Sequence, residues 1–105
     1  MNNSIMENVS FHDQEILDLR INSNNLLIIA NDDLGKKYTF SIKNARIKSN
    51  ATVDLNDIIG CIIMSLSYHE YNDKENYIHL EIFNKKSPFT DEFYIYSNDI
   101  IITTE

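Results

Sequence analysis

The chain has 105 residues and a formal charge of −7, with 43% hydrophobic and 24% charged residues. That is the length of one domain around one core, and the acidic balance argues against a nucleic-acid backbone as partner. Two glycines and one proline are too few for a disordered chain, and no apolar run approaches the ~18 residues of a membrane-spanning helix. The lone Cys61 lies in an apolar run, where it reads as a structural thiol of a cytosolic protein.

Charge is unevenly spread. Residues 1–50 carry 6 acids and 6 bases, whereas residues 51–105 carry 10 acids and 3 bases, which is the entire net charge. A field of that kind steers a basic partner toward the second half of the chain, while also serving solubility.

The lead-in MNNSIMENVS has neither the basic start nor the apolar stretch of a signal peptide, so a cytoplasmic location is expected. Phe11-His12-Asp13 follows. Adjacent side chains on an extended chain point opposite ways, so His12 and Asp13 do not make a relay or a metal site by themselves. Phe11 is expected to pack, and Asp13 to cap a turn.

Residues 15–47 read as three antiparallel strands. Leu17, Leu19 and Ile21 alternate with polar residues, as do Leu26, Ile28 and Ala30, and then Tyr38, Phe40 and Ile42. A two-residue turn at Ser23-Asn24 pairs Ile21 with Leu26, Leu19 with Ile28, and Leu17 with Ala30. A three-residue loop at Asp33-Leu34-Gly35, with Gly35 in the left-handed region, pairs Ala30 with Tyr38, Ile28 with Phe40, and Leu26 with Ile42. Leu27 and Ile29 make the middle strand apolar on its other side too, which predicts a covering layer there. Lys43, Arg46 and Lys48 form a small basic group at a solvated strand end, and a short strand is expected at residues 45–47.

Residues 54–71 are ambiguous. Leu55, Ile58, Ile59, Ile62, Ile63 and Leu66 fit one helical face behind an Asp54 cap. Gly60 and the crowded isoleucines favour a strand instead, with Ile62, Met64, Leu66 and Tyr68 facing the core. A turn over residues 72–75 leads to a strand in which Ile78, Leu80 and Ile82 point inward. A loop over residues 84–90 precedes Phe93 and Ile95, which alternate with Tyr94 and Tyr96. Ser97-Asn98-Asp99 breaks that run before a last strand at residues 100–104. The fold expected is all-β and antiparallel: about seven short strands in a sandwich or partly open barrel, with room for one short helix.

No glycine-rich phosphate loop, HExxH, paired CxxC or GxSxG is present, so no catalytic, cofactor-binding or metal-binding residue is assigned. If the turn spans residues 72–76, His69 faces His79, Tyr71 faces Tyr77 and Ser67 lies near Glu81. Two histidines are only part of a zinc site. The same surface is rich in tyrosine, which offers large rigid area with a polar tip and is enriched at protein interfaces. The candidate partner-binding residues are Glu70, Tyr71, Asp73, Glu75, Tyr77, His79, Glu81, Asp91, Glu92, Tyr94 and Tyr96.

The start FHDQEILDLRI, a hairpin, and then KYTFSIKNARI resemble small bacterial immunity-type proteins that open on an aromatic or leucine before His-Asp and continue as short strands. Phe11-His12-Asp13 is the near-literal part of the likeness. The resemblance implies a non-enzymatic protein that binds and neutralises a cognate toxin. An acidic chain suits a basic nuclease toxin, with neither nucleic acid nor membrane as partner. The alternatives are a small ligand-binding or metal-dependent domain using the His69/His79 face, or a structural subunit of a larger assembly.

Overall fold

A computed structural model describes residues 9–50, 54–83 and 90–105. The loop expected at 84–90 and the lead-in before Val9 fall almost wholly outside them. The described residues form eight strands: β1 (Ile16–Asn22), β2 (Asn25–Asn31), β3 (Lys37–Lys43), β4 (Arg46–Ser49), β5 (Ile62–Glu70), β6 (Asn76–Phe83), β7 (Thr90–Ser97) and β8 (Asp99–Thr104). They make two four-stranded antiparallel sheets, ordered β1-β2-β3-β8 and β4-β7-β6-β5. The all-β expectation holds.

The first three strands follow the register of their side-chain pattern. Ile21 pairs with Leu26 and Leu19 with Ile28. Ala30 pairs with Tyr38, Ile28 with Phe40, and Leu26 with Ile42. Gly35 sits at φ +85°, and Ser23 takes the left-handed position of the first turn at φ +54°. Asp32 organises the second turn by accepting the amides of Leu34 at 2.9 Å and Lys36 at 2.8 Å. One expected pair fails: Ala30 faces Ile16, and Leu17 is bulged out and 44% exposed. The cause lies in the segment that leads into β5. Ile16 donates to the Cys61 carbonyl at 3.0 Å and accepts from the Gly60 amide at 2.9 Å, so its place is set there.

Leu27 and Ile29 lie half-buried on the outer side of the first sheet, beside Ser41 and Thr39, and no layer among the described residues covers them there. The core lies between the sheets. It includes Ile28, Phe40, Ile42, Ile63, Ile78, Leu80, Ile82 and Ile95, all fully buried. Phe11 packs edge-on against Tyr38 and Phe40, with ring centroids 5.2 and 5.8 Å apart. Asp13 stands at a turn, at φ +69°, but its carboxylate does not cap it. The turn closes through the Gln14 amide on the Phe11 carbonyl at 3.0 Å.

Residues 54–71 combine both readings. Asp54 caps a single 3₁₀ turn, Leu55–Asp57, and Ile62–Glu70 is strand. Leu66 and Tyr68 face inward as expected. Ile62 and Met64 do not, because a bulge between Ile63 and Ser65 shifts the alternation and gives the core position to Ile63. His12 donates from Nδ1 to the carbonyl of the bulged Met64 at 3.0 Å.

The two sheets share a corner. β3 pairs with β8 and β4 with β7 in one unbroken register, from Tyr38 opposite Thr104 to Ser49 opposite Phe93. Asn44, at φ +52°, turns the ribbon there. Buried Ser97 donates to the Lys43 carbonyl and accepts the Asp99 amide at 2.9 Å, which satisfies polar groups that the bend exposes. Each strand exchanges its inward-facing residues at this point. Even-numbered residues point inward in β3 and outward in β4.

Candidate functional site

The exchange at the corner decides what the outer face of the second sheet carries. With Phe93 and Ile95 inward, Glu92, Tyr94 and Tyr96 point out. With Ile78, Leu80 and Ile82 inward, Tyr77, His79 and Glu81 point out. The registers stack these into cross-strand rows. Arg46, Tyr96, Tyr77 and His69 form one row, Lys48, Tyr94, His79 and Ser67 the next, and Glu92, Glu81 and Ser65 the third.

The rings touch throughout. His69 stacks on Tyr77 at 4.9 Å between centroids, and His79 on Tyr94 at 4.8 Å. Tyr77 and Tyr96 are 5.2 Å apart. Tyr71, 55% exposed at the end of β5, meets Tyr96 edge-on at 5.2 Å. Aromatic pairs on opposite strands hold a sheet face together and leave it rigid.

Charges rim this platform. The Arg46 guanidinium lies 4.8 Å from the Tyr96 ring centroid and donates to Glu75 at 2.5 Å. The Lys48 ammonium is 5.8 Å from the same ring. At the other end Glu81 and Glu92 stand directly opposite one another. Glu92 accepts from His79 Nε2 at 3.3 Å, and Glu81 accepts from the Thr90 hydroxyl at 2.7 Å. Partial burial raises the Tyr94 phenol above its ordinary pKa, and the nearby Glu92 carboxylate adds to the rise.

Eight of the eleven sequence-assigned residues come together here: Tyr71, Tyr77, His79, Glu81, Glu92, Tyr94, Tyr96, and Glu75 through Arg46. Asp73 is exposed in the β5–β6 turn. Glu70 lies on the opposite side of β5 from His69, at the strand's exposed end. Asp91 is only 2% exposed, because it shares the inward alternation of Phe93, so it offers no surface to a partner. His69 does not face His79. It faces Tyr77, while His79 faces Ser67, because the turn occupies residues 71–75 and shifts the register by two. Asn72 sets that turn, its side-chain oxygen accepting the amides of Lys74 and Glu75 at 2.8 and 2.9 Å.

Arg46 and Lys48 belong to the face although the sequence reading did not place them there, and His69, which it placed there, was not among the assigned partner-binding residues. The alternation Arg46-Ile47-Lys48 was the available signal. Among the described residues no three His, Cys, Asp or Glu side chains converge as metal ligands. A shallow hollow of about 180 Å³ on the outer side of the first sheet is lined by Arg20, Leu27, Ser41 and Lys43 among others, and contains no histidine, cysteine or carboxylate. No helix among the described residues is long and apolar enough to cross a membrane. Known family models, curated proteins and solved structures were compared with the chain, and none matches it.

Proposed function

We propose that this chain is a non-enzymatic immunity protein that binds a cognate bacterial toxin, a basic nuclease, through the outer face of the β4-β7-β6-β5 sheet. The observation that carries this reading is the connected platform of Tyr71, Tyr77, Tyr94 and Tyr96 with His69 and His79. Its rings stand in mutual contact on one side of a sheet whose other side is core. Tyrosines locked by their neighbours lose little side-chain entropy on binding, which is what makes such residues effective interface anchors. The Phe11-His12-Asp13 start and the net charge of −7 support the same reading.

A nuclease must present cations to phosphates. Glu81 and Glu92 stand together beside Tyr94, so a guanidinium or ammonium of the toxin that reached them would find two carboxylates and an aromatic face. Occupation of the cationic cleft then competes directly with nucleic acid. The test is co-expression with a candidate toxin, sought first among the reading frames that neighbour this gene. Wild type should restore growth, and the Tyr77→Ala/Tyr94→Ala double variant, folded to the same unfolding midpoint, should not. Equal rescue by both would remove the platform from the mechanism, and no rescue by wild type would remove the immunity reading.

A further inference from the structure

The four sheet edges are unequally protected. On β1 a bulge follows Ile16, and Asp18 Oδ1 accepts the Leu19 amide at 2.9 Å, occupying a backbone donor that would otherwise recruit a strand. β4 is four residues long and carries Arg46 and Lys48. β5 is bonded by residues 13–16 over its first part, and His12 takes the carbonyl of its bulge. Beyond Asp99, β8 has none of these devices. Residues 100–104, Ile-Ile-Ile-Thr-Thr, are uncharged and free of proline and bulges, and among the described residues they pair with β3 alone.

The ladder fixes which backbone groups of β8 look outward. The Glu105 amide bonds to the Lys37 carbonyl at 3.1 Å, so in the shared register Asp99, Ile101 and Thr103 also bond to β3. The amides and carbonyls of Ile100, Ile102 and Thr104 therefore point to the open edge.

We infer that this edge pairs with β8 of a second copy of the chain, antiparallel about a two-fold axis through Ile101. The two β1-β2-β3-β8 sheets then become one continuous sheet. Two-fold pairing requires opposed residues to share a face, which leaves two central registers. One sets Ile102 opposite Ile102 and brings Asp99 opposite Glu105 of the second copy, a like-charge pair. The other sets Ile101 opposite Ile101, Ile100 opposite Ile102, and Asp99 opposite Thr103, with no charges opposed. In the second register the Ile100–Ile102 pairs exchange the outward hydrogen bonds, and the two Ile101 side chains meet on the outer face beside Ser41. This surface is on the other sheet from the Tyr/His platform, so it stands or falls independently of the toxin reading.

Sedimentation over a rising concentration series, together with amide exchange, tests the pairing. Wild type should pass from 12.3 kDa to twice that mass, and the Ile100 and Ile102 amides should gain protection with concentration. Ile101→Lys, which places two ammonium groups on the axis, should abolish both effects. On the exposed Thr103, Lys should strengthen the dimer several-fold by facing Asp99, and Asp should weaken it. A wild type that stays monomeric overturns the proposal, whether or not those two amides are protected. So does a dimer indifferent to the Ile101 and Thr103 substitutions.

Discussion

Tyr94 stands between His79 and Tyr77, with ring centroids 4.8 and 6.1 Å away, and its phenol ionises above the ordinary 10.0 because of partial burial and then Glu92. Tyr38 is raised in the same direction by burial and by Asp32. In both cases the unfolded chain ionises first as pH rises. Their contribution to stability is whole below the ordinary tyrosine value and is lost as pH climbs through the raised one. Phenolate absorbance should show a late-ionising group that disappears in Tyr94→Phe and moves down in Glu92→Gln. A Tyr94 that ionises at the ordinary tyrosine value would contradict the geometry around it. In the core, Phe40 is fully buried against Phe11, and Phe40→Ala should cost ~3–5 kcal/mol. An unchanged denaturation midpoint would rule out that packing.

Among the elements, the hairpins β1–β2 and β2–β3 were legible because three signals coincide in them: turn residues, alternation, and a single register that satisfies both. Gly35 is the hinge of the second. At φ +85° an added methyl meets nothing within 4 Å, so the penalty of Gly35→Ala is purely backbone, about 1–2 kcal/mol. Urea denaturation should show that loss with an unchanged slope. No loss would mean that the loop has another conformation. Where the sequence misled, long-range hydrogen bonds were the reason. Leu17 lost its core place because residue 16 is held by Gly60 and Cys61, and Met64 lost its own to a bulge. The His69–His79 pairing failed because Asn72 fixes the turn one residue earlier than expected, a position that alternation cannot report. The membership of Arg46 and Lys48 in the site depended on the corner at Asn44, where alternate residues exchange sides. A period-2 pattern says which residues share a face, but not which face of which sheet.

At the scale of the molecule, the proposed toxin binding would divide its work between the carboxylates and the rings. The excess of 10 acids over 3 bases in residues 51–105 acts at a distance. It should speed association at low salt and fade as the screening length shortens to ~8 Å at physiological ionic strength. Neutralising Asp73, Glu81 and Glu92 together should slow association at low salt and flatten its salt dependence, with the midpoint of unfolding retained. Rates insensitive to both salt and these substitutions would eliminate electrostatic steering. The platform acts at contact, and there the central claim is most exposed. The decisive measurement is the dissociation rate of the complex with the toxin that the chain is proposed to neutralise, for wild type and for Tyr94→Ala. Loss of an interface anchor of ~2 kcal/mol should raise it about thirtyfold, with association changed little. A complex that dissociates at the same rate with and without the Tyr94 ring would show that the toxin binds elsewhere.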